Sequence, residues 1–90
     1  MAEKAFKVSI YTPDAAIFEG EAFSLQAPGT LGSFGILANH APFISTLVPG
    51  RITIRGESAK PTIINSTASG FAEVLHNEVT LLLDSVSVEH

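Results

Sequence analysis

No stretch of 11 or more residues free of glycine and proline keeps a 3.6-residue apolar period, so the pattern of a helix of ordinary length is missing from this chain. Between the turn signals the apolar residues alternate instead. Phe6, Val8 and Ile10 alternate with Lys7, Ser9 and Tyr11 and stop at Thr12-Pro13-Asp14, the pattern of a half-buried strand. Phe23, Leu25 and Ala27 alternate with Ser24 and Gln26, and Pro28-Gly29 is expected to turn the chain. Ile52 and Ile54 oppose Arg51, Thr53 and Arg55, and the polar loop 56–60 returns the chain to Thr62-Ile63-Ile64 as a hairpin. A second, tighter hairpin is predicted where 72–75 and 78–83 flank His76-Asn77, since both turn residues tolerate a positive φ. Leu82 falls on the nominally outer face of its strand, so that strand is either central in a sandwich or touches a partner. The reading is all-β, most simply a two-sheet β-sandwich, built as one domain over residues 1–84 with a short, fraying tail at 85–90.

Charge bounds the partners. The chain carries 5 Lys+Arg against 9 Asp+Glu, a formal charge of −4, with no basic cluster, which argues against a nucleic-acid groove and against anionic lipid. With no cysteine, disulfides, thiol nucleophiles and thiolate metal sites drop out together. No apolar run approaches the length of a signal peptide or a membrane span, so no direct membrane insertion is expected. At 46% hydrophobic and 16% charged residues the chain is too apolar for intrinsic disorder. From Ala22 to Gly50 there is no Asp, Glu, Lys or Arg in 29 residues. Two explanations stand for that gap: core strands joined by tight turns, or a face covered by another protein. The depletion of charge at interface centres favours the second.

Candidate chemistry is thin. His40, His76 and His90, one tyrosine and scattered carboxylates form no evident nucleophile, base and orienter set. His40 sits inside the charge-free stretch in Asn39-His40-Ala41-Pro42, where a structural or interface role outweighs a general base. Three dispersed histidines specify no zinc site. Glu19 and Glu21, two apart, share one face of an extended segment and are expected to face water. Gly29-Thr30-Leu31-Gly32-Ser33-Phe34-Gly35 lacks the Lys-Ser/Thr ending of a phosphate loop. Its glycine spacing suits a tight, exposed loop that carries Leu31 and Phe34 outward or against a neighbouring sheet; outward, they are binding anchors. No cofactor is expected.

Thr12-Pro13, Phe18-Glu19-Gly20-Glu21, Ala27-Pro28-Gly29 with Gly32 and Gly35-Ile36-Leu37, His40-Ala41-Pro42, Pro49-Gly50, and Gly70-Phe71-Ala72-Glu73-Val74 with Asn77-Glu78-Val79-Thr80 follow one another in an order and spacing that span nearly the whole chain. In these pieces the sequence resembles the epsilon subunit of F-type ATP synthases, called delta in mitochondria. The resemblance implies a β-sandwich of roughly ten short strands at the foot of the rotating central stalk. It implies docking on the gamma subunit and the c-ring, coupling without catalysis, and a peripheral place at the cytoplasmic face of a bacterial inner membrane. Carried over by position, Leu31, Gly32, Ser33 and Phe34 with Asn39, His40 and Ala41 face the c-ring, and Ser45 faces gamma. Many relatives carry acidic residues where this chain has Leu31 and Ser33. The usual Pro-Gly before the histidine is Ala38-Asn39, and the usual Gly-Gly before phenylalanine is Ser69-Gly70. Most relatives continue into a two-helix hairpin that extends to inhibit ATP hydrolysis and in some binds ATP. These 90 residues stop before it, so neither activity is expected of them.

Overall fold

The computed structural model describes residues 4–88, and every regular element in that range is a strand. In chain order they are β1 Phe6–Tyr11, β2 Ala16–Ala22, β3 Ser24–Gly29, β4 Gly32–Leu37, β5 Phe43–Leu47, β6 Gly50–Arg55, β7 Thr62–Ser66, β8 Gly70–Leu75, β9 Glu78–Leu83 and β10 Val86–Val88. The period-two reading holds for Ile52 and Ile54 and for Ala72 and Val74, which are buried beside exposed or half-buried neighbours, but in β1 Ser9 is buried along with Phe6, Val8 and Ile10, because this strand lies inside the sheet.

Strand pairing runs without a break in the order β10-β7-β6-β3-β5-β8-β9-β1-β2, with β4 on the other edge of β3. The middle link is narrow, one residue pair, Gly29 with Leu47. Five strands lie on each side of it, and Leu25, Ile52 and Ile64 from one half meet Val8, Val74 and Leu81 from the other in a single apolar core. The sheet is open at β10, β2 and β4 and curls over this core, which is consistent with the two-layer packing that alternating strands with one apolar face favour. The first strand is not at an edge: β1 lies between antiparallel β2 and parallel β9.

Both predicted hairpins form. Thr62 to Ser66 pairs antiparallel with Gly50 to Ile54, and Leu75 pairs with Glu78 across His76 and Asn77, whose φ values are 50° and 61°. Glu19 and Glu21 are exposed on β2, as expected.

Three details differ from the sequence reading. First, β3 does not turn at Pro28-Gly29 but runs through both residues, and Thr30-Leu31 makes the turn. Proline is tolerated there because its carbonyl accepts the Val48 N–H at 2.9 Å. In an antiparallel strand a residue's nitrogen and carbonyl point the same way, so the missing N–H faces away from β4 and removes nothing from that ladder. Second, the glycine-rich segment is not a loop. Gly32 onward is β4, and Gly32 alone takes the unusual backbone conformation, φ 126°. Third, the expected tail joins the sheet at Val86–Val88, paired with β7. His90 and the first three residues lie outside the described residues.

Candidate interaction surface

The charge-free stretch supplies β3, β4 and β5 and the turns between them. The β3–β4 hairpin carries Leu31 at its tip with its side chain entirely in solvent, flanked by exposed Gly32 and Ser33. Beside the tip runs β5, tied on by the Thr30 N–H to the Thr46 carbonyl (3.2 Å) and by a bond between the two threonine hydroxyls. Leu31, Gly32, Ser33, Phe34 and Ser45 therefore line one shallow depression, together with Phe43 and Ile44.

Phe34 parts company with Leu31. It faces inward on β4, half-buried against the core, with its ring edge-on to Phe43 at 5.0 Å between centroids. Of the two orientations left open by the sequence, Leu31 takes the outward one and Phe34 the inward one.

Asn39, His40 and Ala41 form the turn after β4, at the other end of that strand. Asn39 has φ 64°, the conformation that glycine supplies elsewhere, and its N–H donates to Asn77 Oδ1 at 2.7 Å. The Asn77 Nδ2 in turn donates to the Ala5 carbonyl at 3.0 Å. His40 is held locally, with Nδ1 2.7 Å from the Ala41 carbonyl and its ring edge-on to Phe43 at 5.6 Å. Phe43 thus touches both groups, and it was missed in the sequence. Its signal was the alternation that restarts after Pro42. Ile44, 73% exposed, was also missed, because nothing local told which face of β5 would be covered.

A second apolar area lies on the outside of the β8–β9–β1 layer. Phe71 and Leu82 are cross-strand neighbours, 57% and 52% exposed, and Tyr11 follows Leu82 across the β9–β1 pair. Strand β9 is central, and yet the outer side of Leu82 is uncovered within this chain. Among the described residues no three His, Asp or Glu side chains are close enough to hold a metal ion, and no helix is long and apolar enough to cross a membrane.

Ten strands curled over one core, with Leu31 and Ile44 of the uncharged stretch left bare, define a β-sandwich with a candidate interaction surface. Comparison with known proteins narrows this. Residues 5–88 match the family model described as the ATP synthase delta/epsilon chain β-sandwich domain, and the chain belongs to that family. The epsilon chain of Desulfosudis oleivorans is 36% identical over 85 residues, covering 94% of this chain and 62% of that one. The epsilon chain of Leptospira interrogans is 41% identical over 85 residues, covering 93% and 65%. That of Caulobacter vibrioides is 40% identical over 76 residues, covering 84% of this chain and 86% of its own. The chain therefore spans under two thirds of the length of the first two relatives. The fold is shared with a chain in the Euglena gracilis mitochondrial ATP synthase OSCP/F1/c-ring structure, at a TM-score of 0.83 and 20% identity over 90% of this chain and 51% of that one. A chain in the central stalk/c-ring structure of Tetrahymena thermophila matches at 0.79 and 18% identity, covering 91% and 65%.

Proposed function

We propose that this chain is a non-catalytic rotor subunit of a proton-translocating F-type ATP synthase, joining the gamma subunit to the c-ring in the central stalk. The observation that carries the reading is that residues 29–34 and 43–46 of the charge-free stretch line one surface, with Leu31 and Ile44 bare upon it, in a chain of the delta/epsilon family. Apolar side chains so exposed in a region without charge are what a covered interface requires. In this reading Leu31, Gly32, Ser33, Phe34, Asn39, His40 and Ala41 lie toward the c-ring and Ser45 toward gamma. The sandwich spans the whole of 5–88, and the subunit is peripheral at the cytoplasmic face of a bacterial inner membrane. Its contribution is mechanical, because a rigid β-sandwich transmits torque without chemistry of its own.

The test is size-exclusion chromatography with light scattering on the chain alone, with the gamma subunit of its own synthase, and with the detergent-solubilised c-ring added. A one-to-one complex with gamma that also retains the ring is the expected result. A folded chain that binds neither would make it a free-standing β-sandwich adaptor instead.

A further inference from the structure

The main-chain groups along the free edge of β4 identify how that strand is covered. Val48 N–H donates to the Pro28 carbonyl at 2.9 Å and Thr30 N–H to the Thr46 carbonyl at 3.2 Å, so residues 28 and 30 aim their backbone at β5. By antiparallel alternation Leu25, Ala27 and Gly29 aim theirs at β4, onto Ile36, Phe34 and Gly32. Ser33, Gly35 and Leu37 must then point their N–H and carbonyl groups away from the sheet. The His40 N–H takes the Leu37 carbonyl at 3.3 Å; the other groups face outward, since among the described residues β4 pairs with β3 alone.

Exposed edges are ordinarily guarded. The edge strand β2 carries exposed Glu19 and Glu21 and a break in register at Ile10/Tyr11, and the edge strand β10 is only three residues long. By contrast β4 is six residues long, has no charge and no proline, and keeps an unbroken register from Ser24–Leu37 to Gly29–Gly32. Gly35, at its centre, is not required by this chain's own fold. Its φ is not positive, and a Cβ built on it meets nothing nearer than the Leu25 carbonyl oxygen at 3.9 Å. Each of the other six glycines has either a positive φ or a built Cβ within 3.3 Å of another atom. A glycine without an internal reason in a strand marks a place where another backbone comes close.

We infer that β4 is completed by strand addition: an extended segment of another subunit, with neutral side chains, pairs with Ser33, Gly35 and Leu37 and lengthens the sheet. The open hydrogen-bonding row calls for a strand rather than a helix as the occupant, and β4 itself offers no opposite charge to pair with a charged side chain upon it, which favours neutral ones. The inference rests on the rotor reading above, which makes the neighbour a different subunit and not a second copy.

Residue-resolved hydrogen exchange on the full chain, free and in complex with its gamma subunit and c-ring, tests it. The Ser33, Gly35 and Leu37 amides should exchange freely in the isolated chain and slow by at least about a hundredfold in the complex. Gly35→Pro should leave the isolated fold intact, since the lost N–H does not reach β3, yet weaken the complex by about tenfold or more. A complex in which these amides still exchange as in the free chain, or one that Gly35→Pro does not weaken, overturns the strand addition and leaves the rotor reading standing. A dimer of the isolated chain with these amides protected also overturns it, because the occupant is then a second copy. Failure to bind gamma or the ring overturns the rotor reading and this inference with it.

Discussion

Leu31 and Phe34 lie three residues apart in one glycine-rich run and share a chemical type, yet they do opposite jobs. The alternation of β4 decides it. Phe34 pairs with Ala27, whose side chain is buried, while Leu31 sits in the turn before the strand begins. Substituting both with aspartate separates the roles. Leu31→Asp should change the stability of the isolated chain by no more than about 0.5 kcal/mol, because the side chain touches only water. It should still weaken assembly, since in the complex it would place a charge in a covered, uncharged surface. Phe34→Asp should cost the isolated fold about 2 kcal/mol or more, through lost contact with Phe43 and the core and a partly desolvated carboxylate. Chemical denaturation of the two variants, followed by measurement of c-ring retention in the gamma complex for whichever remain folded, checks the pair. A Phe34→Asp chain as stable as the parent would mean that the Phe34–Phe43 contact contributes little.

Among the elements, the β8–β9 hairpin does more than join two strands. Its turn residue Asn77 has φ 61°, receives the Asn39 N–H on Oδ1, gives a bond from Nδ2 to Ala5, and accepts the Lys7 N–H on its own carbonyl at 3.1 Å. One side chain therefore fixes the start of β1 and the turn that presents His40. Asn77→Ala should destabilise the chain by about 1–3 kcal/mol, combining a strained backbone with two lost hydrogen bonds. Asn77→Gly, which restores the conformation and not the bonds, should recover about 1 kcal/mol of that. Thermal unfolding of both variants reads the difference, and equal melting temperatures would remove backbone strain from the account. The hairpin itself was legible, because His76-Asn77 is a local signal between alternating runs. Its tie to Asn39 was not, because 38 residues separate the partners and hydrogen bonds of that range leave no pattern in a single sequence. The same limit applies to β3, where local turn chemistry read Pro28-Gly29 as a stop. What overrides it is tertiary: Gly29 is the point where β3 crosses to β5, and a Cβ there would lie 2.8 Å from the Gly32 carbonyl oxygen. Strand β10 was missed for a similar reason. Val86-Ser87-Val88 is too short to announce itself, and it is a strand only because β7 offers an edge.

On the scale of the whole molecule, the charges are distributed by strand. Arg51 and Arg55 are both on β6, and Glu19, Glu21, Lys7, Glu73 and Glu78 lie on β2, β1, β8 and β9, while β3, β4 and β5 have none. This makes the location of the docking surface readable from its salt dependence alone. Contacts between charged surfaces weaken as the Debye length shrinks from roughly 14 Å at about 50 mM salt to roughly 4 Å at about 500 mM, whereas apolar contacts and strand pairing between neutral segments do not. If gamma binds across β3 to β5, its affinity should change by less than about threefold over that range, and association should proceed at about 10⁵–10⁶ per molar per second, without electrostatic steering. Isothermal titration and stopped-flow mixing at the two salt concentrations measure both quantities. An affinity falling more than about tenfold would place the gamma interface on the Arg-bearing or Glu-bearing strands instead, and the bare Ile44 would then need another cover. Under the rotor reading proposed above, a flat profile is the expected one, because a joint held by neutral strands and apolar side chains keeps its strength as ionic conditions change, which is what a shaft coupling must do.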